Sequence, residues 1–200
     1  AGGGPAAGAG RDTGEVPAAF DGKSGRMDGP STAAEPIAGK QPMPAEKEAL
    51  APMNIAETVE RLLDRNHRAV YQALQELQQA SAATEAVYPY MARFIDMLDS
   101  DNSYVRTRGL TLLACNAKWD RENRLDAVMN RYLEHITDEK PITARQCVKL
   151  LPMVAREKPD LKETILAALQ QADLSGYDSS MRALMERDVQ KALEEIAQEK

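Results

Sequence analysis

Cysteine is nearly missing from this chain: two in 200 residues, too few for a disulfide framework. Aromatic residues make up 4% of the sequence, with one Trp and two Phe. No stretch comes near the roughly 20 consecutive apolar residues of a membrane-spanning helix, so no membrane partner is expected. Dense positive charge is missing too. The 25 Lys and Arg stand against 31 Asp and Glu, for a net charge of -6. Nucleic acid is therefore an unlikely partner, because general binders displace counterions with clustered Lys and Arg. Beyond residue 53, glycine and proline almost vanish. Ten of the 12 glycines and seven of the 11 prolines fall in the first 53 residues. Only Gly109, Gly176, Pro89, Pro141, Pro152 and Pro159 remain after them.

That imbalance divides the chain. Residues 1–53 form a polar, Gly/Pro/Ala-rich segment that cannot bury enough apolar surface to offset its ordering entropy, and the composition predicts disorder there. It reads either as a plain tail, with Met53 a possible natural start, or as a tether holding the rest near a partner. Its opening lacks the basic start and continuous apolar run of a secretory signal. Residues 54–200 are long enough for one domain with its own core. Two unpaired thiols point to a reducing cytoplasm.

After Pro52 the apolar spacing is helical. Asn54 with Glu57 reads as a capping box, followed by Ile55, Val59, Leu62 and Leu63 on one face. Further helices are predicted from about Asn66, over Val87–Leu98, from Tyr104 to about Lys118, and over Arg124–Ile136. Pro141 suits a first helical turn, where its missing N–H leaves nothing unpaired. Pro159 opens the next helix with Asp160 and Glu163 as a second capping box, Gly176 closes a turn, and Asp178 or Ser179 caps the last helix. The remaining prolines are expected in or beside helix ends. About eight helices of 10 to 19 residues and no alternating segment make the class all-α.

The helices repeat. Phe94–Leu98 aligns with Tyr132–Ile136 at an offset of 38, which also carries Leu112-Leu113 onto Leu150-Leu151 and Gly109 onto Cys147. A period near 38 made of two antiparallel helices is the signature of an α-solenoid, here of about four pairs.

Within the unit Tyr88–Leu113, Pro89 sits in the first helix and Asp99 and Asp101 in the turn. Val105-Arg106 opens the second helix, and the small Gly109 precedes Leu112-Leu113. On these residues the chain resembles HEAT-repeat proteins. It is similar in particular to short bacterial ones, common in clostridial genomes, some of which carry the label "SufBD protein". The residues behind this finer likeness are Ser103–Arg108, Asp138–Gln146 and Asp178–Met185. The turn acids are expected to complement the positive end of the second helix, and Arg106 to pair with them or with the next repeat. In the following unit Thr143-Ala144 replaces Val-Arg, with Arg145 immediately after.

In a HEAT pair the second helix usually lines the binding side. The resemblance therefore implies a surface from Tyr104, Arg108, Thr111, Cys115 and Lys118, continued by Gln146, Lys149, Met153 and Arg156, with Arg65, Gln72, Glu76 and Gln79 before it. Trp119 lies at the turn beside this stripe, either capping the core between repeats or contacting a partner, since Trp and Arg are frequent interface anchors.

Catalysis has no positive signal: no nucleophile elbow, phosphate loop or nucleophile with a base at recognisable spacing. Cys115 and Cys147 read as structural thiols, and His67 and His135 lack ligand spacing. No cofactor or metal is expected. The expectation is a non-catalytic scaffold that binds another protein, as a monomer or weak homodimer. Two alternatives stay open. One is a DNA-binding or DNA-glycosylase-like HEAT protein, which needs a denser basic cleft than 20 basic against 24 acidic residues in 54–200 suggest. The other is an accessory factor in iron–sulfur assembly or another enzyme system, such as the HEAT-like bilin lyases.

Overall fold

The computed structural model describes residues 53–198; the disorder expected for 1–53 falls, apart from Met53, outside the described residues. These hold eight α-helices and no strand, so the protein is all-α. The helices are α1 (Ile55–Arg61), α2 (His67–Ala83), α3 (Met91–Asp96), α4 (Ser103–Asn116), α5 (Arg124–Glu134), α6 (Pro141–Glu157), α7 (Lys162–Gln171) and α8 (Ser179–Gln198). Two of them are shorter than the spacing predicts. α1 has seven residues and α3 has six, because tighter 3-10 turns at Glu85–Tyr90 and Met97–Asp99 flank α3. Pro89 lies in the first of these turns rather than in the α-helix itself.

Caps fix where the second helix of each pair begins. Asn66 accepts from the N–H groups of Arg68 and Ala69, Asn102 from Tyr104, and Asp178 from Ser180 and Met181. Each side-chain oxygen satisfies donors that the first helical turn leaves unpaired. α6 starts instead on Pro141, which has no N–H to satisfy. The expected capping box at Asp160 and Glu163 does not form. A 3-10 turn, Pro159–Leu161, absorbs Asp160, and α7 begins only at Lys162 without a side-chain cap.

Packing follows sequence order. α1 packs on α2, α3 on α4 and α7 on α8, while α2, α4, α6 and α8 pack each on the next. α4 is therefore covered on both sides. One continuous core results, with Phe94, Leu112, Leu113, Tyr132, Leu151 and Ile165 among its fully buried side chains. Burying each aliphatic or aromatic side chain of this kind contributes about 1.5–3 kcal/mol. Leu63, expected on the inner face of α1, is instead 54% exposed. The helix stops at Arg61, and the following turn swings Leu63 out to line a surface slot of about 230 Å³ with Val59, Met97 and Val105.

Gly109 has one job. A Cβ there would stand 2.9 Å from both the Met97 Cβ and the Phe94 carbonyl oxygen, so only glycine lets α4 approach α3 this closely. Thirty-eight residues on, the Cys147 Sγ reaches the Tyr132 carbonyl at 3.5 Å. The same slot recurs with the same kind of backbone partner. Polar contacts between successive pairs likewise recur at separations of 32 to 40 residues.

The turn acids act differently from expectation. Asn102, not Asp99 or Asp101, caps α4. Asp99 is paired with Arg131 of the next unit, and Asp101 offers only its carbonyl, to Arg106. Arg106 is buried and forks onto Asp138, with Nε and Nη2 each donating at 2.7 Å. Its Nη1 also bonds the Ser100 carbonyl at 2.8 Å. The arginine thus joins its own turn to the next one. Its counterpart Arg145 bonds Asp188 of α8 at 2.5 Å in a more open setting.

Pro152 departs from the expected position at a helix end. It lies inside α6 and is buried, where it removes the bond that residue would donate to Val148.

Candidate functional site

The two central second helices, α4 and α6, are rich in cations. α4 with its 3-10 extension Ala117–Trp119 has Arg106, Arg108 and Lys118 and no carboxylate. α6 has Arg145, Lys149 and Arg156 against Glu157 alone. The segment of the first layer that packs on α4 has the opposite balance, with Glu85, Asp96 and Asp99 against Arg93. An acidic chain thus presents a locally basic face.

Not every cation on that face is available. Arg106 and Arg145 are engaged with Asp138 and Asp188. Arg108 is half-buried and donates to the Leu62 carbonyl at 2.9 Å, and burial pulls its guanidinium below the ordinary Arg range. It ties α4 to the end of α1 instead of facing solvent freely. Thr111, expected on the surface, is 3% exposed. α4 is packed between α2 and α6, and the Thr111 hydroxyl donates into its own helix at the Thr107 carbonyl.

The remaining expected residues reach the surface. Tyr104 is 61% exposed, with its ring edge-on to His67 at 6.3 Å. Gln146 is half-buried, and Lys149 and Arg156 are exposed. Of the α2 stripe, Gln72 and Gln79 are exposed. Glu76 is held by Arg61 and Gln72, and Arg65 lies before α2 begins.

Lys118 and Trp119 act together. The Lys118 ammonium donates to the Ala82 carbonyl at 2.6 Å and sits 4.8 Å over the Trp119 ring. The indole N–H donates to the Ser81 carbonyl at 2.8 Å. Both therefore bond the last carbonyls of α2, which its C-terminus leaves unpaired. Trp119 is half-buried in this role, covering a helix end between units.

A slot of about 160 Å³ opens beside this pair, lined by Ala82, Ala114, Cys115, Lys118, Met153 and Arg156 among others. A wider groove of about 430 Å³ between α6 and α8 shares Met153 and Arg156 with it and adds Lys149 and Pro152. The expected α4 and α6 residues are thus brought together at Lys118, Cys115, Met153 and Arg156, while Tyr104 lies at the far end of α4. Burial raises the Cys115 thiol, against smaller opposing effects of Gln78 and Lys118, so it stays protonated at neutral pH. Cys147 is buried and burial pushes its thiol well up. Among the described residues no group of three His, Cys, Asp or Glu side chains is placed to hold a metal ion, and no helix is long and apolar enough to cross a membrane.

Two polar clusters go beyond the sequence pattern, which pointed only to the pairing of Arg106 with the next unit. Asp138 accepts from Arg106, from the Lys140 N–H at 2.8 Å, and lies 2.9 Å from the His135 Nδ1. Burial pushes its carboxyl up, but these bonds more than offset burial and hold it below the usual range. The Tyr177 hydroxyl bonds the Asp138 carbonyl at 2.6 Å. In the second cluster Asp120 accepts from the Arg124 and Leu125 N–H groups and the Tyr88 hydroxyl. Buried Lys158 bonds the Asp120 carbonyl, the Asn123 side chain and Asp126. Asp120, four residues before a helix start, was the available signal. Lys158 offered none, since its partners lie 32 to 38 residues away.

No protein-family model matches the chain, and no curated protein matches it. A solved structure of an engineered protein is similar at 17% sequence identity and a TM-score of 0.49. The likeness covers 73% of this chain, which spans 38% of the length of that one, and at that level it carries no argument about function.

Proposed function

We propose that the chain is a HEAT-like solenoid that works as a non-catalytic protein-interaction module. Its second-helix face would hold a partner around Lys118 and Arg156. The observation that supports this reading is the open slot between α2, α4 and α6, flanked by the exposed Lys118 and Arg156 on a face where Arg106 and Arg145 are held by Asp138 and Asp188. Binding here requires no bond-making. A preformed surface loses little freedom on association, and apolar floor with charged rim is the usual anatomy of a partner site.

Lys118→Glu with Arg156→Glu tests it. The double variant should lose captured partner protein from a native extract by about tenfold or more, with helix content unchanged and capture compared well below its melting point, since Lys118 also bonds the Ala82 carbonyl. Capture that is indifferent to both substitutions would remove the reading. Arg108 is unsuitable for this test, because its bond to Leu62 makes it part of the fold.

A further inference from the structure

Resting on that interaction reading, we infer that the slot beside Lys118 takes an aliphatic side chain from an acidic peptide segment of the partner. Two features determine the class. The floor is apolar and small, made by Ala82, Ala114 and Met153 with the protonated thiol of Cys115. About 160 Å³ of space over an apolar floor suits one aliphatic side chain. The rim is cationic, with Lys118 on one side and Arg156 on the other, and Lys149 two helical turns before Arg156 in α6.

The state of these cations matters more than their number. The Lys118 partners are a carbonyl and an aromatic ring, both neutral, and among the described residues no carboxylate pairs with it. Lys149 lies 3.8 Å from Asp188, whose carboxylate is already bonded to Arg145 at 2.5 Å. Arg156 folds onto its sequence neighbour Glu157, with Nε and Nη2 donating to one oxygen at 3.0 and 2.9 Å. That leaves the guanidinium short of the two-oxygen fork it can make with a carboxylate. A peptide carboxylate would displace Glu157 and offer both its oxygens to Nε and Nη2.

Nucleic acid fits the same rim poorly. Three cations with Glu157 and Glu195 beside them do not form the continuous phosphate-tracking strip such ligands need. The slot lacks an aromatic platform for a base, since the Trp119 ring is covered by Lys118.

Fluorescence anisotropy on the full chain tests the assignment with four probes. These are a short peptide of Glu and Asp flanking one Leu, the same peptide with its acids replaced by Gln and Asn, the same with its Leu replaced by Gln, and a single-stranded oligonucleotide. The acidic Leu peptide should bind about tenfold or more tighter than either substituted peptide, weaken as salt is raised, and be lost in Lys118→Glu/Arg156→Glu. Glu157→Gln should tighten it severalfold, a gain that a merely structural role for the rim would not produce. Equal binding of the neutral peptide, preference for the oligonucleotide, concentration-dependent self-association that blocks the slot, or no binding by any peptide each overturns the assignment. The interaction reading survives those results if partner capture still depends on Lys118 and Arg156, and it falls separately if capture does not.

Discussion

The unit built on α3 and α4 and the unit built on α5 and α6 meet the same packing demand with opposite side chains. In the first, α4 crosses so close that Gly109 has no room for a methyl group. In the second, the equivalent Cys147 carries a Cβ and a sulfur that touches the Tyr132 carbonyl. The arginines differ in parallel. Arg106 is buried and held by Asp138, by two carbonyls and, at 3.5 Å, by Glu139, whereas Arg145 keeps a half-exposed bond to α8. A repeat in sequence is therefore not a repeat in energetics. The earlier unit concentrates stability in a few contacts that admit no substitute, and the later one spreads it over contacts that do.

Arginine truncation should separate them most. Arg106→Met leaves the buried Asp138 carboxylate with only the Lys140 N–H and His135 beside it and should lower the unfolding free energy by about 3 kcal/mol. Arg145→Met, with solvent near its pair, should cost about 1 kcal/mol or less. Denaturant unfolding measures both, and similar losses would erase the distinction. The glycine slot comes next. Gly109→Ala gains about 1 kcal/mol in helix propensity, yet the added methyl meets backbone at Phe94, so a net loss of about 1–3 kcal/mol is expected. Cys147→Ala removes only the sulfur, and a loss near the low end of that range, about 1 kcal/mol, is expected.

The smallest effect is one of slope. Because the folded Asp138 carboxyl lies below its usual value, its contribution is complete above the unfolded pKa of about 3.9 and is lost as pH falls through the lower folded value. Asp138→Asn should be less stable at neutral pH but lose less stability below about pH 4. A parallel decline in both proteins would show that other carboxylates govern acid unfolding.

What the sequence made legible was local. Helix starts at Asn54, Pro141 and Asp178, the all-α class and the small slot at Gly109 depend on spacing within one or two turns, and these appear where the pattern puts them. The misreadings involve tertiary competition. Thr111 sits on the polar side of the α4 pattern but is buried because α4 is packed between α2 and α6. Leu63 sits on the apolar side of α1 but is exposed because the helix ends two residues earlier. Lys118 and Arg156 were legible as surface, since each lies in the polar last turn of its helix. Their convergence on one slot was not, because it depends on how α2, α4 and α6 are stacked.

Asp138 has a consequence for how the protein comes apart. Arg106 brings the Ser100 and Asp101 carbonyls onto its side chain, and Tyr177 closes on its backbone from the following turn. Three successive turns therefore meet on one residue. Arrays whose units touch only their neighbours lose their terminal units first, and amide hydrogens there exchange before those at the centre. A shared fastening across three turns resists such stepwise fraying. Amides of α4, α6 and the start of α8 should exchange together, as a single cooperative opening, while α1, which lies outside that fastening, opens on its own.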